Sequence, residues 1–219
     1  MERDAGVELA ERVEDGRTLA ALVWRAGPRW RMISTGIVGG GLGERRWVLN
    51  AQVPGGYARM DPVAHLAEIA APLGLSGPGV GLLTAADVRR RASATDGGVR
   101  AVATVGVGTP AWAAVPWSTP PEAPGTINIL VTIPAALADA ALVNLIATAT
   151  EAKVQALQSA GHAATGTPTD AICIAAHTSG PSAPFGGPRS HWGSRAARAV
   201  HRAVHDGATT DPHRPPVRT

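Results

Sequence analysis

The spacing of apolar and polar positions changes several times along the chain, and the changes lay out strands alternating with helices. Thr18–Trp24, Arg46–Val53, Val80–Thr84, Arg100–Val107, Ile127–Ile133 and Asp170–Ala176 are short apolar-rich runs bounded by turn residues or charge. Each is predicted as a strand. Ile127–Ile133 hardly alternates, so it is expected to be buried on both faces. From about Leu137 to Ala160 the period becomes helical. Leu142, Leu145, Ile146, Ala149, Ala156 and Leu157 share one face, Asn144, Thr148, Glu151 and Gln155 form a polar stripe, and Gly161 supplies a stop. A second helix is expected from Asp61-Pro62 to about Ala71, with Asp61 as N-cap and Pro62 at the first helical position. A helical turn is expected from Thr84 to Arg91 and a last helix over His191–His205. Residues 1–17 read as a short helix or a frayed start.

These elements predict an α/β fold: one domain over residues 18–206, a mixed sheet flanked by helices. An N-terminal extension (1–17) precedes it, and a polar, proline-rich tail (207–219) is expected to be disordered. The length of 219 residues suffices for one sizeable core. Lys and Arg total 20 against 17 Asp and Glu, and no basic run carries interleaved aromatics, which argues against nucleic-acid binding. A single cysteine excludes an intrachain disulfide framework and suits a cytoplasmic protein. The charged N-terminus lacks the apolar core of a signal peptide, and Ile127–Ala147 is interrupted by Asn128, Pro134, Asp139 and Asn144. No membrane span is expected. Homo-oligomerisation is left open.

Several motifs fail on spacing. Gly39–Gly43 places Glu44 where a dinucleotide loop needs glycine, so a tight turn between strands is expected. His201 and His205 lack the glutamate of a zinc helix, and Asp211-x-His213 reads as tail. Cys173 lies in an apolar strand and is expected to be a buried, inert thiol. The serine-hydrolase elbow is absent. No metal or cofactor is expected. Trp112, Trp117 and Trp192 lie in or beside two long loops, where they either line a pocket or cap the core edge.

The richest stretch is Gly125–Ala176: strand, long helix, the loop Ala164–Asp170 (ATGTPTD), then strand. Small polar residues there gather at element ends, where backbone groups are free to meet a ligand. Thr126, at the head of a strand after a long loop, offers a nucleophilic hydroxyl if a base lies near, or simply β-propensity. Asp170 is a base, a loop organiser or an Asx-turn residue. Glu151, on a helix of small residues, must reach solvent or a partner.

These residues also carry a resemblance. Val80–Val88 (VGLLTAADV), Val102–Gly106, Gly125–Ile129 (GTINI), Ala140–Asn144, Thr148–Lys153 (TATEAK) and Ala164–Asp170 follow the order found in the adenosylcobinamide amidohydrolase family of corrinoid salvage, which the chain resembles over roughly residues 33–205. The resemblance implies hydrolysis of the aminopropanol amide of adenosylcobinamide, a corrinoid small-molecule substrate, to adenosylcobyric acid. It points to Thr126, Glu151 and Asp170 as catalytic residues. Asn128, Thr165 and Thr167 would bind substrate, with Thr84 and Asp87 further out. His177–Trp192 departs from the family pattern and leaves room for another substrate preference. A weaker likeness, to self-cleaving aminopeptidases and ornithine acetyltransferase-type enzymes, makes Thr126 the nucleophile, with Asn128 or backbone N–H groups stabilising the oxyanion. Direct attack by water, with Glu151 or Asp170 as base, stays open. The rival classes are a non-catalytic corrinoid-binding protein and a self-processing threonine amidase or peptidase.

Overall fold

The computed structural model describes residues 6–115 and 125–212. The chain opens with a hairpin, β1 (Val7–Glu14) and β2 (Arg17–Trp24), paired antiparallel through Glu14 and Arg17. Asp15 and Gly16 both take positive φ, at 49° and 72°, as a two-residue turn matched to strand twist requires. The helical or frayed start expected for residues 1–17 is thus replaced by a strand over Val7–Glu14. The apolar spacing Val7, Leu9, Ala10, Val13 suits either period, and the Asp-Gly turn decides it.

Next come β3 (Trp30–Ser34), β4 (Gly41–Glu44), β5 (Val48–Gln52), α1 (Pro62–Ala70) and β6 (Val80–Thr84). The glycine cluster does more than turn: Gly41–Glu44 is itself an edge strand on β3. A 3₁₀ turn, Val88–Arg90, leads into β7 (Ala92–Asp96), a strand the sequence pattern did not separate, and β8 (Val99–Gly106). Then follow β9 (Thr126–Ile133), α2 (Asp139–Ser159), β10 (Ala171–His177) and α3 (His191–Thr210). The tail expected from residue 207 therefore starts later, since α3 continues to Thr210. Residues 213–219, His213 among them, lie outside the described residues, as does Trp117.

The expected α/β fold, mixed β-structure flanked by helices, forms with its strands divided between two sheets. One has the order β1-β2-β5-β6, the other β4-β3-β10-β9-β8-β7. Each holds one parallel pair, β5 with β6 and β9 with β10. The sheets face each other through Leu22, Trp24, Val48, Leu82, Val102, Leu130 and Cys173. Outside the smaller sheet lies α1, packed through Leu66 and Ile69 on Val23 and Leu49. Outside the larger lie α2 and α3, with Leu142, Leu145, Leu157, Val200 and Val204 on Ile127, Ile129, Val131 and Ile133. Strand β9 is thus covered on both faces, which explains its unbroken apolar run.

Two features anchor α2. Asp139 in its first turn accepts two hydrogen bonds from Arg31 of β3 at 2.8 Å, where a carboxylate also complements the helix dipole. At the other end Gly161 takes φ +86°, and His162 donates to the Leu157 carbonyl at 2.9 Å, closing the helix in a Schellman-type cap. Among the described residues no helix is long and apolar enough to cross a membrane.

Candidate active site

Because β9 and β10 run parallel, their N-terminal ends lie side by side, and the ATGTPTD loop brings its hydroxyls to the head of β9. The Thr126 Oγ1 lies 2.6 Å from Thr169 Oγ1. Thr167 and Thr169 hydroxyls lie 2.7 and 3.0 Å from the Gly125 carbonyl oxygen. Asp170 ties loop to strand. Its Oδ1 accepts from the Ile127 N–H at 2.9 Å and the Thr167 hydroxyl at 2.5 Å. Its Oδ2 accepts from the Thr167 N–H at 3.1 Å and from Lys153 Nζ.

The Lys153–Asp170 ion pair is deeply set, with side chains 8 % and 10 % exposed. Lys153 reaches it from the buried face of α2, in helical register with Ala149 and Leu157. A buried pair is tolerated only when further hydrogen bonds support its charges, and here two backbone N–H groups and a hydroxyl do so for the carboxylate. Gly166 packs over the pair: a methyl group there would overlap both the carboxylate and the ammonium.

Thr126 and Thr169 open onto a cleft of about 440 Å³, also walled by Tyr57, Thr84, Ala85 and Pro168. Thr84 Oγ1 accepts from the Ala86 N–H at 3.1 Å. The structure therefore brings Thr126, Thr167, Asp170 and Thr84 of the sequence-predicted set to one place.

It separates the others. Glu151 is exposed on α2, two residues and so about 200° round the helix from buried Lys153; it cannot reach the cleft as a base. Asn128 lies between the sheets, 2 % exposed, because even-numbered positions of β9 face the smaller sheet. Its amide donates to Asn50 Oδ1 and the Leu83 carbonyl, both at 2.9 Å, while Asn50 donates to Thr104 Oγ1 at 2.9 Å. That occupies both N–H bonds and leaves no oxyanion donor. Asp87 caps the 3₁₀ turn, accepting from the Arg89 N–H at 3.1 Å. Thr165 braces a neighbouring loop by accepting from the Ala113 N–H at 2.8 Å. Trp112 is 47 % exposed, and Trp192 packs on the helix-side core with Arg195 over its ring.

Cys173 is fully buried between the sheets, and burial pushes its thiol up to about 12. His201 and His205 stack on α3. Burial, and then the neighbouring His205, hold His201 below its ordinary value. Among the described residues no group of three His, Cys, Asp or Glu side chains is placed to hold a metal. Lys153, Thr169 and Tyr57 are the site residues the sequence reading missed. Lysine on an otherwise apolar helix stripe was the available signal for the first.

Fold and site define a layered α/β protein with a hydroxyl-lined cleft at the head of a parallel strand pair. Residues 6–215 match the family model described as Adenosylcobinamide amidohydrolase, and the chain belongs to that family. Two relatives bear the same name. That of Methanosarcina mazei is 32 % identical over 184 residues, covering 80 % of this chain and 88 % of the relative. That of Halobacterium salinarum is 33 % identical over 190 residues, covering 82 % and 80 %. A solved structure, the PH0078 protein from Pyrococcus horikoshii OT3, aligns at a TM-score of 0.45 with 11 % identity, over 93 % of this chain and 84 % of that one.

Proposed function

We propose that the protein hydrolyses the aminopropanol amide of adenosylcobinamide, releasing adenosylcobyric acid and 1-aminopropan-2-ol, in cytoplasmic salvage of incomplete corrinoids. Family membership over nearly the whole chain supports the substrate. The observation that carries the mechanism is Thr126 Oγ1 on the cleft wall, with its hydroxyl partner Thr169 at 2.6 Å. In the forward step Thr126 Oγ1 adds to the amide carbon, the C–N bond breaks, and the hydroxyl proton leaves with the amine. Water then cleaves the resulting ester and restores the hydroxyl. Direct attack by activated water is less well supported. Glu151 is remote, and both oxygens of Asp170 already accept hydrogen bonds, which suits Asp170 to hold loop and strand rather than to take a proton.

One observation favours a self-processing form of the same enzyme. The Thr169 hydroxyl donates to the Gly125 carbonyl, the group that Thr126 Oγ1 would attack to cleave its own chain, as an oxyanion donor does. Cleavage would free the Thr126 amine, whose pKa of about 8 suits a base at neutral pH.

The test is incubation with adenosylcobinamide, followed by mass spectrometry of corrinoid and protein. Loss of the aminopropanol mass by wild type but not by Thr126→Ala supports the nucleophile. Fragments meeting at Gly125/Thr126 support self-processing. Bound but unchanged corrinoid makes the protein a corrinoid binder instead.

A further inference from the structure

Tyr57 lines the same cleft as Thr126, yet the mechanism does not use it. It closes the turn Pro54–Tyr57. Its N–H donates to the Pro54 carbonyl at 3.1 Å, and Gly56 takes φ +85°, as the third position of a type II turn requires. A tyrosine on such a turn is ordinarily free to swing. This one is tethered.

Its hydroxyl lies 2.9 Å from His65 Nδ1, and His65, on α1, is 2 % exposed. His65 Nε2 lies 3.0 Å from Glu14 Oε1 on β1. With Nε2 against the carboxylate, Nδ1 is the ring nitrogen that meets the phenol hydroxyl. Glu14 pairs with Arg12 at 2.7 Å, and Arg12 donates to the Gln52 carbonyl at 2.7 Å. The contacts run from the cleft wall through α1 and β1 to the end of β5, just before the turn. The imidazole and phenol rings also lie near-parallel, centroids 5.5 Å apart and planes 16° from parallel.

Two consequences follow for the cleft. The phenolic hydroxyl is engaged with His65, and no proton transfer to the substrate is assigned to it. Its ring is a fixed wall of the cleft, with its rotamer entropy already lost before anything binds. The cleft, at about 440 Å³, sits near the small end of the volumes that enclose drug-sized ligands. That is the scale of an amide arm rather than of a macrocycle.

We propose that Tyr57 is a substrate-binding residue. A methyl-bearing edge of the corrin macrocycle packs on its ring and so seats the amide arm at Thr126. His65 and Glu14 are positioning residues that hold the ring. The inference rests on the corrinoid reading.

The experiment compares wild type with Tyr57→Ala, Tyr57→Phe and His65→Gln, each checked for folding by circular dichroism. Kd for adenosylcobinamide is read by visible absorbance titration in the Thr126→Ala background, and KM and kcat in the intact one. Tyr57→Ala should raise Kd and KM about tenfold, with kcat moving much less. Tyr57→Phe keeps the ring and should restore most of the loss, and His65→Gln should fall between. Unchanged Kd and KM in Tyr57→Ala, with wild type binding corrinoid, would overturn the platform alone. A collapse of kcat in Tyr57→Phe would overturn it in favour of proton transfer. Absence of binding by wild type would remove the corrinoid reading and this inference together.

Discussion

Replacing Lys153 by Met tests whether the ion pair beneath the cleft holds the site together. Met keeps most of the volume of the stem and removes the charge. Asp170 would then be a carboxylate only 10 % exposed with its cation gone. Its two backbone donors and the Thr167 hydroxyl remain. Breaking one side of a buried pair costs about 3–5 kcal/mol, against about 0–1 kcal/mol for a surface pair. For a chain of this size that lowers Tm by about 6–20 °C. Urea unfolding followed by far-UV circular dichroism reads the loss. Lys153→Met with Asp170→Asn should recover part of it, since no charge is then stranded. Activity should fall in the single variant even where the protein stays folded, because the Thr167–Thr169 segment would lose its anchor. A shift of less than about 2 °C, or a double variant no more stable than the sum of the singles, would refute the reasoning.

Other expectations follow from the same geometry. Gly166→Ala forces a methyl group into the ion pair and should cost about 1–3 kcal/mol together with most of the turnover, read by calorimetry and product release. Cys173, buried and raised to about 12, should resist a thiol reagent at pH 8 until urea unfolds the chain, when one thiol should titrate; rapid native labelling would contradict the packing between the sheets. Burial works against the charge of Glu14, but Arg12 and His65 outweigh it and hold the carboxyl below its ordinary value. That contribution is complete above the unfolded value of about 4.3 and is lost as pH falls through the lower folded value. The stability gap between wild type and Glu14→Gln should therefore be flat from about pH 7 to pH 5 and close below about pH 4; a gap that widens in acid would reverse the assignment.

The β9–α2–β10 unit was legible almost to the residue, because a strand covered on both faces and a long amphipathic helix leave strong periodic signals. Thr126, Thr167 and Asp170 were legible as well, since they sit where those elements begin or end. Glu151 was read from its spacing as part of the polar stripe, and the structure leaves it exposed there, turned away from Lys153. Lys153 was overlooked although it lies on the apolar stripe. Asn128 marks what a one-dimensional pattern hides: with both faces of β9 buried, nothing in its run tells which residues meet helices and which meet a second sheet. Tyr57 depends on partners on two other elements, and no local pattern announces such a contact.

The parallel pairing of β9 and β10 also governs when the site comes into being. Thr126 meets Thr169, and Ile127 meets Asp170, at a sequence separation of 43. Closing a loop of that length costs about 3 kcal/mol of chain entropy before any contact forms. Helix α2 can gain its hydrogen bonds early, but the threonine cluster exists only after β10 has docked beside β9. During refolding, recovery of activity should therefore lag behind recovery of helical signal. A chain interrupted between the two strands during synthesis has Thr126 in place but no loop to hold it.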